Sequence, residues 1–303
     1  MIKKIKIASH SKVEVSEFIF GAWRLNEDSE GKSSTRVLNK IQACLDSGIT
    51  SFDHADIYGD YTCEEIFGSA LKLDTSLYSK IQIITKCNIG LVSKKRNYFT
   101  KHYNSDPSHI QSSVENSLIN LGVEKIDVLL LHRPDPLMNA ESTAKKLDEL
   151  VDSGKVLSIG VSNFSVSQFQ LLNFFLKNKI VTNQMEISLV EMKSMYDGTL
   201  DDCQKNKIRP MAWSPTAGGK IFSSDDERFE RIRETLHQLS EKYSTTSESL
   251  VYAWLLHHPV GILPILGTNK IDRIKLISKC FDIKLEKQDW FQLWSASTGT
   301  EVP

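Results

Sequence analysis

Short runs of apolar and β-branched residues recur along the whole chain, separated by longer stretches with helical periodicity. Eight such runs predict strands at residues 17–21, 50–53, 81–86, 126–131, 156–161, 181–186, 209–213 and 261–266. Strands that alternate with helices are typical of βαβ units and a parallel sheet. Eight units in a chain of 303 residues favour a single α/β domain over 1–303, a closed (β/α)8 TIM barrel.

Local signals predict where two of the helices begin. Ser165 is followed by Gln168, and Thr62 is followed by Glu65. A Ser or Thr with Gln or Glu three residues later matches the capping box, in which two orphan backbone donors are satisfied reciprocally. We therefore expect helices to start just after Thr62 and Ser165.

Several segments extend the basic repeat. Residues 5–8 and 12–15 alternate in polarity and predict an N-terminal β-hairpin that closes the bottom of the barrel. The segments 225–258 and 286–303 predict extra C-terminal helices. The loop 89–105 is long, polar and partly aromatic, and such loops at the C-terminal mouth of a barrel shape substrate pockets.

Composition and charge exclude several classes of partner. Lys and Arg total 37 and Asp and Glu total 38, so there is no net field to recruit nucleic acid or a membrane surface. No stretch has the ~20 apolar residues of a membrane span, and the N-terminus lacks a signal-peptide core. The five cysteines contain no C-x-x-C pair, which disfavours a disulfide framework or a metal site. We expect a cytoplasmic protein with a small-molecule partner; nothing predicts its oligomeric state.

Four polar residues stand at or just beyond the ends of three successive predicted strands. Asp53 ends the second strand, Tyr58 follows five residues later, Lys86 ends the third strand, and His132 follows the fourth. The carboxyl ends of parallel barrel strands meet at one mouth, where such folds place their chemistry. Taken singly, Asp53 fits a helix cap, Lys86 a solvated strand end, and His132 a structural histidine.

Together these side chains suit the reduction of a carbonyl group. A tyrosine can protonate the developing alkoxide if a neighbouring cation lowers its pKa, and Lys86 is that cation. A lysine in a partly dry site needs a carboxylate to hold its charge, which Asp53 provides. His132 can donate a hydrogen bond that orients the carbonyl oxygen. None of the four is predicted to bind a metal.

Four sequence motifs carry a family resemblance. The segment 52–59, FDHADIYG, closely resembles the signature of the aldo-keto reductases. So do IITK at 83–86, DVLLLHRP at 127–134 and IGVSNF at 159–164. Within the superfamily, the Trp-Ser-Pro run at 213–215 and the turn after His132 look more like the bacterial oxidoreductases related to potassium-channel β subunits.

The resemblance implies a barrel that binds NADPH in an extended pose. It implies a catalytic tetrad of Asp53, Tyr58, Lys86 and His132, with Tyr58 as the general acid that reduces aldehydes or ketones to alcohols. The residues that it implies for cofactor binding are Gly21, Ala22, Trp23, Asp53, Ser162, Asn163, Gln184, Trp213, Ser214, Pro215, Thr216, Ala217, Gly218, Gly267, Thr268, Lys270 and Arg273.

Each group of these cofactor residues has a physical rationale. Ser162, Asn163 and Gln184 supply the donors and the acceptor that a nicotinamide carboxamide needs, and Trp213 stacks on its ring. The small residues of 214–218 let backbone amides approach a pyrophosphate. Thr268, Lys270 and Arg273 favour an adenosine 2′-phosphate, and therefore NADPH over NADH.

Three alternatives are weighed against this function. A short-chain dehydrogenase is opposed because no G-x-G-x-x-G follows the first strand and no tyrosine has lysine four residues later. A metal-dependent barrel hydrolase is opposed by the lack of a clustered ligand set. The third is a redox-sensing regulatory protein that binds NADPH but turns over slowly, which an intact tetrad does not exclude. His54, beside Asp53, is expected to be structural because alternate strand residues face opposite sides.

Overall fold

The computed structural model describes residues 2–302. Its strands are β1 Lys4–Lys6, β2 Glu14–Ser16, β3 Ile19–Gly21, β4 Ser51–Asp53, β5 Gln82–Cys87, β6 Ile89–Gly90, β7 His102–Tyr103, β8 Ile126–Leu131, β9 Val156–Ser162, β10 Asn183–Glu186, β11 Met211–Trp213 and β12 Leu263–Leu266. Its helices are α1 Ser34–Asp46, α2 Tyr58–Tyr61, α3 Cys63–Leu71, α4 Pro107–Leu121, α5 Ala140–Asp152, α6 Val166–Phe175, α7 Thr199–Asn206, α8 Lys220–Ser223, α9 Glu227–Lys242, α10 Ser247–Leu256, α11 Ile271–Leu276 and α12 Lys287–Thr298.

Eight strands close into a parallel barrel in the order β10-β11-β12-β3-β4-β5-β8-β9. Parallel strands require crossover connections, and the helices between these strands provide them. The predicted (β/α)8 architecture is confirmed. Four of the observed strands, among them β3 and β10, begin two residues later than the sequence runs indicate. Phe18, Val181 and Ile262 in these positions are buried but precede the strand ladders.

The N-terminal hairpin covers the bottom of the barrel, as expected. Ile5 pairs with Val15 in the antiparallel β1–β2 ladder. Beyond the ladder, the Ser11 hydroxyl lies 3.1 Å from that of Ser158 in β9, and the backbone N–H of Arg209, which precedes β11, donates to the Ile7 carbonyl. The hairpin is thereby anchored at the N-terminal ends of the strands, opposite the expected site.

The two helix-start predictions have different outcomes. Ser165 and Gln168 form the complete capping box at the start of α6. Thr62 precedes α3 as expected, but its side chain does not cap the helix; its hydroxyl donates to the Gly59 carbonyl at 2.6 Å. The prediction of a capping box at Thr62 is wrong because a tight turn just before α3 provides a nearer acceptor for that hydroxyl.

The expected extra helices are present as α9, α10 and α12. Trp254 of α10 stacks on Trp290 of α12 with ring centroids 4.8 Å apart and an interplanar angle of 8°. Each indole N–H donates to the backbone carbonyl of the other residue, at 3.1 and 3.0 Å. This reciprocal pair attaches the C-terminal helix to the barrel. Among residues 2–302, no helix has both the length and the apolar content to cross a membrane.

Candidate active site

The four residues of the expected tetrad come together at the C-terminal mouth of the barrel. The Lys86 ammonium contacts both carboxylate oxygens of Asp53 at 2.7 Å. It also donates to the His54 carbonyl at 2.8 Å and to the Tyr58 hydroxyl at 3.0 Å. The ring centroid of His132 lies 5.9 Å from that of Tyr58. Lys86 therefore links the carboxylate directly to the phenol.

Strand register and a strained turn place these side chains. Asp53 is the last residue of β4 and pairs with Ile84 of the neighbouring β5, so the carboxylate and Lys86 leave adjacent strands near one level. Beyond Tyr58, Gly59, Asp60 and Tyr61 have φ angles of 60°, 54° and 62°. The left-handed region costs a non-glycine residue of the order of 1 kcal/mol, and such strain often accompanies functional sites.

Burial and charge oppose each other at Lys86 and Tyr58. Burial alone would lower the pKa of Lys86, but the Asp53 charge outweighs it, and the pKa lies above its usual value. Lys86 is therefore a cation at neutral pH. Burial raises the pKa of Tyr58 and outweighs the lowering effect of Lys86, so the net direction is upward. The expectation of a lowered tyrosine pKa is not met, because burial of the phenol outweighs the charge of Lys86.

His132 is a neutral imidazole. Burial takes its pKa well below the ordinary value, and the nearby charges of Lys86, Arg133 and Lys101 lower it further. Its Nδ1 is buried and has no hydrogen-bond partner among residues 2–302, while the residue lines the cleft. A ring protonated on Nε2 can donate to an oxygen held in the cleft, which is the role expected for His132.

His54 is fully buried on the other side of the strand end, in line with the expected structural role. Its ring meets the Phe67 ring edge-on, with centroids 4.5 Å apart. Neither ring nitrogen has a hydrogen-bond partner among residues 2–302. Burial, followed by the charge of Lys86, lowers the pKa of His54 to about 3.

This buried imidazole predicts a loss of stability in acid. The unfolded chain binds a proton at His54 near pH 6.5, whereas the folded protein does not do so until about pH 3. The stability that depends on neutral His54 is therefore present above pH 6.5 and is lost as the pH falls. We expect the parent's free energy of unfolding to fall about 1.4 kcal/mol per pH unit more steeply below pH 6 than that of His54→Leu.

Urea unfolding at pH 7, 6 and 5 measures this difference. His237→Gln serves as the matched control because His237 is exposed on α9, and its slope should equal that of the parent. Equal slopes for the parent and His54→Leu would contradict the prediction.

The residues expected to hold a nicotinamide lie on the wall opposite β4. Ser162 ends β9 and pairs with Gln184 in β10, and both are buried. The side-chain amide of Asn163 donates to the Ser162 hydroxyl at 2.8 Å. The Trp213 indole N–H donates to the Asn163 carbonyl oxygen at 3.1 Å, and the Arg133 guanidinium lies 5.9 Å from the Trp213 ring. Trp213 is therefore oriented by contacts with two other residues of the protein.

A single cleft of about 710 Å³ connects this wall to the tetrad and to the ends of β11 and β12. Most of the residues expected to contact the cofactor line it, namely Gly21, Trp23, Asp53, Ser162, Asn163, Gln184, Trp213, Ser214, Pro215, Thr216, Gly218, Gly267, Thr268 and Arg273. Ala22, Ala217 and Lys270 are not among the lining residues; Ala22 is fully buried. In the 214–219 loop, four residues have φ between 49° and 95°, which turns the loop sharply over the cleft.

The far end of the cleft holds a cation that is already paired. The Arg273 Nε lies 3.1 Å from both carboxylate oxygens of Glu248, which is on α10. Thr268 is buried, and its hydroxyl accepts the backbone N–H of Lys270. A phosphate at this end would share the Arg273 guanidinium with a carboxylate.

A polar network near this end was missed by sequence reasoning. Asn269 donates to the Arg24 carbonyl at 2.7 Å and accepts from the buried Lys40 ammonium at 2.9 Å. Lys40 pairs with Asp28, and the Arg24 guanidinium reaches the Gly218 carbonyl at 3.4 Å. The loops after β3, β11 and β12 are thereby joined. The only sequence signal was a basic residue directly after the Gly-Ala-Trp run.

The remaining part of the cleft lies above Tyr58 and His132. Its lining combines apolar side chains, two cations, one carboxylate and two exposed rings, contributed by Trp23, Ile57, Asp60, Ile89, Leu91, Lys101, Tyr103 and Arg133. Several of these residues lie in the long segment after β5, as expected for a loop that shapes a pocket. Within residues 2–302, no three His, Cys, Asp or Glu side chains come close enough together to hold a metal ion.

Comparison with known proteins identifies the family. The model of the Aldo/keto reductase family matches residues 17–297. The chain is 44% identical to the "Uncharacterized oxidoreductase YcsN" of Bacillus subtilis over the full length of both, and 41% identical to a "6-dehydroglucose reductase" of Agrobacterium fabrum over 98% of this chain and 99% of the relative. The structure of a glycerol dehydrogenase from Gluconobacter oxydans superposes with a TM-score of 0.85 at 23% identity, covering 99% and 97% of the two chains. The chain belongs to the aldo/keto reductase family, oxidoreductases that use a nicotinamide cofactor and act on small molecules.

Proposed function

We propose that the protein reduces an aldehyde or ketone to an alcohol with NADPH, and that Tyr58 is the general acid. The observation that carries this proposal is the contact of Lys86 with both Asp53 and the Tyr58 hydroxyl. It lies beside a neutral His132, in a cleft whose lining extends to Thr268 and Arg273. Tyr58 is the proton donor, the Lys86 charge stabilises the resulting tyrosinate, and neutral His132 donates a hydrogen bond to the carbonyl oxygen.

The residues present fit a nicotinamide dinucleotide. Ser162, Asn163 and Gln184 present hydroxyl and amide groups at one wall, and Gly267 has open space where a Cβ would stand. When bound, the reduced cofactor supplies the hydride. Trp213, held by its bond to Asn163, offers a flat surface against which the nicotinamide ring can be oriented.

The chain's own residues then complete the reduction. His132 and Tyr58 bind the carbonyl oxygen, which becomes more basic as hydride adds to the carbon. The Tyr58 hydroxyl transfers its proton to that oxygen and is left as a tyrosinate. Lys86, 3.0 Å away and kept cationic by Asp53, stabilises that anion. Burial raises the pKa of Tyr58, so the phenol carries its proton at neutral pH, and the opposing charge of Lys86 favours the transfer of that proton.

The preference for NADPH rests on Arg273. Replacement Arg273→Leu should weaken NADPH binding about 10-fold or more and change NADH binding little, because a hydrogen bond to a charged group contributes about 1.5–3 kcal/mol. Quenching of tryptophan fluorescence on titration with each cofactor measures both dissociation constants. Lys275→Leu is the matched control, since Lys275 is an exposed cation on the same helix and does not line the cleft. Equal losses for NADPH and NADH would contradict a 2′-phosphate site at Arg273.

The polar lining above the tetrad favours a hydroxylated carbonyl as substrate. Exposed Trp23 offers a stacking surface, and Asp60, Lys101 and Arg133 offer hydrogen-bond partners for hydroxyl groups. The relative from Agrobacterium fabrum is named as a reductase of a sugar derivative, which supports this class.

Steady-state NADPH oxidation tests the proposal with a hydroxylated aldehyde such as glyceraldehyde and with 4-nitrobenzaldehyde. We expect turnover of both compounds. Tight NADPH binding without turnover of any carbonyl would instead favour a redox-sensing protein. If the two aldehydes are turned over with equal efficiency, the carbonyl reductase activity is supported, but the preference for hydroxylated substrates is rejected.

A further inference from the structure

The Asp53 carboxylate is bound both from the neighbouring strand and from the opposite wall of the barrel. Lys86 of the adjacent strand β5 contacts both of its oxygens. From β10, 131 positions further along the chain, the Gln184 side-chain nitrogen donates to the Asp53 Oδ1 at 2.8 Å. Both residues are about 2% exposed, so this bond is protected from water. The ion pair of the tetrad is therefore completed by a residue that was expected only to contact the cofactor.

The chemistry of the amide fixes its orientation. A carboxylate accepts hydrogen bonds, so the Gln184 atom that faces Asp53 must be the NH2 group. The other end of the amide, Oε1, is then an acceptor. No hydrogen bond among residues 2–302 uses this oxygen, and Gln184 lines the cleft beside Ser162 and Asn163. A ligand that satisfies Oε1 must therefore bring a hydrogen-bond donor, and the carboxamide N–H of a nicotinamide is such a donor.

We propose that Gln184 is a positioning residue that couples the bound cofactor to the general acid. Resting on the proposed function, this inference assigns one continuous chain of hydrogen bonds. The cofactor carboxamide N–H donates to Gln184 Oε1, Gln184 Nε2 donates to Asp53, and Lys86 joins Asp53 to the Tyr58 hydroxyl. Each protein link of the chain measures 3.0 Å or less.

The direction of the effect follows from charge. Donation by Gln184 holds the Asp53 oxygens in place and disperses part of their negative charge. Asp53 raises the pKa of Tyr58, whereas Lys86 lowers it. Removing the Gln184 donor leaves the carboxylate more basic and less well oriented, so the pKa of Tyr58 should rise. A ligand N–H on Oε1 polarises the amide and strengthens the bond to Asp53, so it should lower that pKa.

Titration of Tyr58 in the cofactor-free protein tests the positioning role. With 13Cζ-labelled tyrosine, the Tyr58 signal is assigned by its absence in Tyr58→Phe, and its chemical shift is followed with pH. In Gln184→Met, which preserves side-chain length but has no donor, we expect the pKa of Tyr58 to rise by about half a unit or more. Ser162→Ala is the matched control, because Ser162 lies in the same wall without contacting Asp53; it should weaken NADPH binding and leave the tyrosine pKa unchanged.

The coupling itself is tested with two oxidised cofactors of equal charge. The 3-acetylpyridine analogue of NADP+ has a methyl group where NADP+ carries the carboxamide NH2. In the parent, Tyr58 should have a lower pKa with NADP+ than with the analogue, and in Gln184→Met this difference should vanish. If Gln184→Met does not fold, the smaller Gln184→Asn replaces it, because its shorter side chain also loses the contact with Asp53.

The outcomes separate this inference from the proposed function. An unchanged Tyr58 pKa in the folded variant, with only weaker NADPH binding, would reduce Gln184 to a cofactor ligand and overturn the inference. Because the first titration uses neither cofactor nor substrate, an absence of carbonyl turnover would overturn the proposed function alone.

Discussion

Tyr58→Phe should lower kcat for carbonyl reduction about 10²- to 10⁴-fold, the usual contribution of a positioned general acid. The reason is that phenylalanine fills the same volume but has no proton for the alkoxide, while Lys86 and Asp53 still form their ion pair. NADPH affinity, measured by fluorescence titration, should change little because the hydroxyl contacts only Lys86 among the described residues. Steady-state NADPH oxidation gives kcat.

Tyr103→Phe is the control for that experiment. Tyr103 lines the same cleft and is 38% exposed, yet its hydroxyl takes part in no hydrogen bond within residues 2–302. The same loss of an oxygen atom should therefore have only a small effect on kcat. A Tyr58→Phe enzyme as active as the parent would reject Tyr58 as the acid.

Lys86→Met should remove both activity and stability. The substitution leaves Asp53 buried, with Gln184 as its only side-chain donor within residues 2–302, and deprives Tyr58 of its neighbouring cation. Removing one partner of a buried ion pair lowers the free energy of unfolding by about 3–5 kcal/mol, so the urea midpoint should fall markedly. We also expect kcat to fall at least about 10²-fold, because no charge remains to stabilise the tyrosinate.

The double variant Asp53→Asn/Lys86→Met provides the control for stability. With both charges removed, no uncompensated ion is buried, and a large part of the lost unfolding free energy should return without any return of activity. A double variant as unstable as Lys86→Met would show that methionine packing, and not the orphaned carboxylate, causes the loss.

Much of the fold and of the tetrad could be read from the chain because both depend on local patterns. Period-two and helical patterns locate strands and helices, and parallel strands bring their carboxyl ends to one mouth whatever the details of packing. Asp53, Lys86 and His132 each lie at the carboxyl end of a strand or directly after it, so their convergence follows from topology. Thr62 shows the limit of such signals: it has the sequence pattern of a capping box, but its hydroxyl donates to the Gly59 carbonyl in the preceding turn.

Contacts across the barrel could not be read in this way. Glu248 binds Arg273 from a different helix, and Gln184 binds Asp53 from the opposite wall, and no local pattern encodes either pair. The direction in which the pKa of Tyr58 is shifted could not be predicted from the sequence either. A neighbouring lysine lowers that pKa, but only the depth of the cleft determines that burial outweighs the lysine.

The sequence by itself determined the barrel, the order of its strands and the residue types at their carboxyl ends, because these follow from short-range periodicity and chain direction. The tertiary structure alone decided which of those residues touch, how far water is excluded from them, and that Gln184 joins the tetrad. The physical reason is that hydrogen bonds and desolvation act over a few ångströms in space, between groups that the chain separates by up to 131 positions.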